Sequence, residues 1–106
     1  MSEELLNEIR KLEVRLQEFV EAERKAIESL RRWINTLREL HNSMSKIEEK
    51  PELTKKMLEI RLKSIKAFHE ALKEMSKAEH EKSHLLESYG AILFLLEEAK
   101  IKSFRI

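Results

Sequence analysis

The chain of 106 residues has no cysteine and no aspartate, and only one glycine and one proline. Without cysteine there is neither a disulfide nor a thiolate metal ligand, so a stapled scaffold and a zinc-finger fold are both excluded. Without aspartate a Ser-His-Asp arrangement has no acidic member. A single glycine cannot make a glycine-rich phosphate loop. Strand-rich folds draw on glycine and proline at their hairpins, and this chain has one of each. Long apolar runs are missing too: the run Ala91 to Leu96 is far shorter than the ~20 residues a membrane-spanning helix needs. The opening MSEELLNEIR has neither the basic start nor the apolar core of a signal peptide, so a cytoplasmic location is expected.

Charged residues make up 39% of the chain, and Glu, Lys, Leu and Ala dominate, the profile of helical bundles and coiled coils. From Leu5 onward apolar residues recur at alternating gaps of four and three: Leu5, Ile9, Leu12, Leu16, Phe19, then Ala26, Leu30, Trp33, Leu37, Leu40, Met44, Ile47. A phase kept for so long predicts one helix over about 3–47. A further row at seven-residue steps, Leu6, Val20, Ile27 and Ile34, widens the stripe beyond a two-stranded seam. Pro51 suits the first turn of a new helix and Glu52 its positive end, so a turn is expected at 48–52 and a second helix over 53–101. There the rows are Leu58, Ile65, Leu72, Leu86, Leu93; Phe68, Met75, Tyr89, Leu96; and Met57, Ala71, Ala78, Leu85, Ile92, Ala99.

The expected fold is therefore all-α: a single helical domain, 1–106, forming a long antiparallel, coiled-coil-like hairpin. Stripes this wide cannot cover each other, so two hairpins are expected to dimerise into a four-helix bundle. The alternative is a monomeric three-helix bundle, with the second helix breaking near Ser76 or Gly90.

The stripes are interrupted by Glu23 on the first helix and by Glu79 and Lys82 on the second. In a hairpin turning near residue 50, facing residues carry numbers totalling about 101, which puts these three at one height. They read as a polar layer that penalises slipped registers. Lys82 speaks against a carboxylate metal site there. His80 and His84 share a helical face, and Glu81 with His84 has the Glu-x-x-His spacing that resembles ferritin-like proteins. That resemblance covers four residues, lies outside the apolar stripe and has no second copy, so no metal, cofactor or catalytic residue is assigned. His41 and His69 read as boundary residues.

Charge is uneven although the net value is +1. Residues 1–30 hold eight Glu against five Lys or Arg, and residues 78–98 hold five Glu against one Lys, whereas the turn-side half is basic. A basic stripe of Arg31, Arg38, Lys63, Lys66, Lys73 and Lys77 would suit phosphates, which makes nucleic-acid binding the alternative function. The run YGAILFLLEEAK is apolar nearly all round, so Leu86, Tyr89, Ile92, Leu93, Phe94 and Leu96 are the expected oligomer interface, open also to a protein partner. The expected function is that of a non-enzymatic interaction or assembly module, a homodimer or higher homo-oligomer.

Overall fold

The computed structural model describes residues 2–46 and 53–104. Two helices account for all of them, α1 (Ser2–Lys46) and α2 (Leu53–Phe104), and there is no strand among the described residues. The expected turn at 48–52, with Pro51 and Glu52, lies outside them.

α1 persists because nothing inside it breaks a helix and its ends suit the dipole, with Glu3 and Glu4 in the first turn and Lys46 in the last. Along its length, Lys11 pairs with Glu8 at 3.3 Å, Arg15 with Glu18 at 3.2 Å, and Arg24 with Glu28. Such exposed pairs add about 0.2–0.5 kcal/mol each to helix stability. α2 passes through Ser76 and Gly90 without a break, so the three-helix alternative is not the one adopted. A Cβ at Gly90 would meet open space, and a lone helical glycine costs only about 1 kcal/mol relative to alanine.

The chain divides into two compact units, each a pair of helical segments: Met1–Ala22 with Lys77–Ile106, hereafter the terminal unit, and Glu23–Ser76, the turn-side unit. In the turn-side unit Trp33 meets Phe68, ring centroids 5.0 Å apart, and Lys63 Nζ lies 3.4 Å from Glu39. Those numbers total 101 and 102, so the segments run antiparallel in the expected register. In the terminal unit one groove is lined by Asn7, Glu8 and Lys11 together with Ala91, Phe94 and Leu95, which is the same register.

Within each unit the helices meet along rows of mostly small or polar residues. Apart from Leu30, the least accessible positions on α1 follow a three-four alternation: Leu5, Glu8, Leu12, Arg15, Phe19 and Ala22 in one unit, then Ala26, Ser29, Trp33, Thr36, Leu40 and Ser43 in the other. α2 answers with Ile60, Ser64, Ala67, Ala71 and Glu74, then Ala78, Glu81, Leu85, Ser88 and Ile92. Ser29 and Ala71 are each only 1% exposed. Short side chains let two backbones approach closely, and their hydroxyls bond locally: Thr36 Oγ1 donates to the Trp33 carbonyl at 2.6 Å, and Arg32 Nη2 donates to Ser29 Oγ at 2.9 Å.

The closeness of that seam has a measurable consequence. Ala71→Leu inserts bulk where helix meets helix and should destabilise the fold by roughly 1–3 kcal/mol in urea unfolding. Gly90→Ala should instead raise stability by about 0.5–1 kcal/mol.

Candidate association surface

The seam runs along one shoulder of each apolar stripe. On α1 it takes the Phe19, Ala26, Trp33, Leu40 row and the polar row beside it, leaving Leu16, Leu37 and Met44 and the Val20, Ile27, Ile34 row turned away from α2, with Leu30 half-buried. On α2 it takes the Ser64, Ala71, Ala78, Leu85 row and its polar neighbour, leaving Met75, Tyr89, Leu96 and Ile65, Leu72, Leu86, Leu93 turned away, with Phe68 at the border in ring contact with Trp33. Both stripes are displaced from the seam by the same rotation in the helical sense. Antiparallel helices viewed along one axis wind oppositely, so equal rotations bring both stripes to the same flank of the pair.

Each unit thus has an apolar flank of its own. In the terminal unit it consists of Leu6, Ile9, Leu16 and Val20 with Leu86, Tyr89, Leu93 and Leu96, all exposed. In the turn-side unit Ile27, Ile34, Leu37 and Met44 join Leu58, Leu62, Ile65, Phe68, Leu72 and Met75, again all exposed. By contrast the only buried hydrophobic residues among those described are Ala26, Ala71 and Ala78. Apolar patches on a monomer rarely exceed roughly 300–600 Å², and eight to ten half-exposed large side chains per unit surpass that.

The residues singled out from sequence distribute as follows. Leu86, Tyr89, Leu93 and Leu96 lie on the apolar flank, Leu86 58% and Tyr89 53% exposed. Ile92 is half-buried in the seam. Phe94, 64% exposed, is on the opposite flank, where it lines the groove with Glu8 and Lys11. Glu23 stands in an apolar row of the turn-side unit, and Glu79 and Lys82 in apolar rows of the terminal unit; all three are exposed. The apolar flank of the turn-side unit, around Ile34, Ile65 and Leu72, carries the larger share of exposed apolar side chains. Its signal was present in the seven-residue rows, although the denser run after Tyr89 draws the eye first.

The basic residues do not share one line. Lys63 and Lys66 border a groove on the polar flank with Arg32, Thr36, Glu39 and Glu70, and Glu39 takes a hydrogen bond from Lys63. Arg31 and Arg38 are a half-turn from the seam on α1's outer edge. Lys73 is exposed in the turn-side unit, whereas Lys77 belongs to the terminal one.

The Nε2 atoms of His80 and His84 are 3.0 Å apart, one ring donating to the other, with centroids separated by 4.5 Å. Glu81 and His84 fall outside the apolar stripe, yet both are half-buried, because the seam itself occupies the stripe's edge. Glu81 Oε2 is buried without a hydrogen-bond partner. Among the described residues no group of three or more His or Glu is placed to hold a metal ion, and no helix is long and apolar enough to cross a membrane.

No family model, no curated protein and no solved structure matches the chain.

An unbonded buried carboxylate oxygen weakens the seam it sits in. Glu81→Leu removes it and should raise the free energy of unfolding by about 1 kcal/mol in a denaturant titration; a loss of stability of that size would mean that Glu81 supports the seam.

Proposed function

We propose that the chain is a non-enzymatic assembly module whose working form is a homodimer, two helix pairs packed apolar flank to apolar flank as a four-helix bundle. The observation that carries this reading is a partial inversion of the usual core: the only buried hydrophobic residues among those described are alanines, while Ile27, Ile34, Leu37, Ile65, Leu72, Met75, Leu86 and Leu93 stand exposed. Burial stabilises by about 25 cal/mol per Å² of apolar surface, and three alanine side chains contribute little against the entropy of ordering two long helices. The area points the same way. The chain exposes 8599 Å², against roughly 6200 Å² for a folded monomer of its mass, and obligate dimers bury about 2000 Å² or more in total. A second copy brings an identical apolar flank, the simplest complement to this one. Once formed, the bundle leaves the polar flanks and their grooves outward for a further protein.

A second reading, nucleic-acid binding, draws on the turn-side unit, whose thirteen Lys or Arg exceed its nine Glu, and on Lys63, Lys66 and Arg32 around one groove. The two glutamates lining that groove oppose phosphate binding, so this reading ranks second.

Light scattering at micromolar concentration should give twice the 12.7 kDa chain mass, and thermal unfolding should shift upward with protein concentration. Ile34→Glu with Leu72→Glu should remove both effects, and Phe94→Lys, on the opposite flank, should leave them. A wild-type chain that stays monomeric, with concentration-independent melting, overturns the reading. For the alternative, a fluorescence titration with nucleic acid should show affinity falling steeply with salt; no binding at low salt removes it.

A further inference from the structure

Resting on the self-association reading, we infer that the second copy docks antiparallel: the apolar flank of each terminal unit covers that of the partner's turn-side unit. Both units offer an apolar flank, so hydrophobic contact alone does not choose between this arrangement and a parallel one, in which each unit meets its own copy. Charge does. The turn-side unit holds thirteen Lys or Arg against nine Glu, and the terminal unit eight against eleven.

The imbalance reaches the flank where docking occurs. On the rows that form or border the apolar flank, the turn-side unit carries Arg24, Arg31, Arg38, Lys55 and Arg61 against Glu23. The terminal unit carries Glu3, Glu13, Glu79 and Glu97 against Arg10, Lys82 and Lys100. Arg24 is already paired with Glu28 on its own helix, which leaves Arg31, Arg38, Lys55 and Arg61 as the surplus. A parallel dimer sets that surplus against an identical one across a closing low-dielectric contact, and like charges so juxtaposed are costly. The antiparallel dimer sets it against a mildly acidic surface, twice, by symmetry. Orientation is thereby selected chiefly by what the wrong arrangement brings together. The isologous twofold closes the assembly at two copies and leaves no apolar flank to recruit a third.

The chain has no cysteine, so single labels can be placed at will. Asn7 and Asn42 are exposed, belong to different units and sit on the row facing away from the apolar flank. Energy transfer is measured between a donor on Asn42→Cys copies and an acceptor on Asn7→Cys copies, and separately between donor and acceptor both on Asn42→Cys copies. Antiparallel docking predicts strong transfer in the first mixture and weak transfer in the second. Strong transfer in the second with little in the first is a parallel dimer, which overturns the orientation and leaves self-association standing. No transfer in either mixture, with monomer mass by light scattering, overturns both.

Discussion

The structure depends on how closely α1 and α2 approach. Along their contact Leu12, Trp33, Leu40, Leu85 and Ile92 are half-buried, while the fully buried part is Glu74 together with Ala26, Ser29, Thr36, Ser64, Ala71 and Ala78, none of these others larger than threonine. Side chains of that size bring two helices together through backbone proximity and many weak dispersion contacts, with little apolar area removed from water. A larger residue at one of those fully buried positions would force the seam apart. Much of the bulky apolar surface is excluded from that buried contact and gathers on one flank of each unit, where the antiparallel arrangement sets the two stripes side by side. The same exclusion that shapes the pair creates the surface through which we propose it works.

Polar groups divide into those that belong to the seam and those that interrupt the flank. Two seam hydroxyls find a neighbour a turn away, Thr36 at the Trp33 carbonyl and Ser29 at Arg32, and this local satisfaction removes most of the penalty for burying them. The carboxylates differ, since Glu74 and Glu81 each have one oxygen sequestered without a hydrogen bond. Glu23, Glu79 and Lys82 are different in kind, since each occupies an apolar row on the exposed flank. Charges there leave the isolated pair largely unaffected because water reaches them. In the association we propose, their cost would fall on a partner that fails to pair them, restricting register and orientation rather than adding affinity. The aromatic contact of Trp33 with Phe68 stands where seam and flank meet, so it joins the two helices while leaving Phe68 available outside.

Much of this architecture was legible in the residue order. The three-four spacing from Leu5 to Met44 and the seven-residue rows around Leu72 specify two long helices, because only a helix returns side chains to one face at that interval. The scarcity of glycine and proline excludes hairpins of strands, and the facing numbers near 101 follow once a single turn joins helices of similar length. The excess width of the stripes was equally plain. What periodicity could not reveal was which part of each stripe would meet the other helix. Large residues were the natural choice for the contact, and Glu81 and His84, outside the stripe, the natural choice for solvent. That so many large side chains stay exposed while Glu81 and His84 are half-buried, and the position of Phe94 across from Leu93, are settled only when two helices compete for the same space: the most buried positions of the pairing are chiefly alanine, serine and threonine. Sequence by itself determined the helices, their register and the amount of apolar surface to be covered, since those follow from the spacing of residue types along one chain. Tertiary structure decided the rotation of each helix about its axis, and with it the flank to which that surface is presented, because rotation depends on steric fit between side chains far apart in the chain.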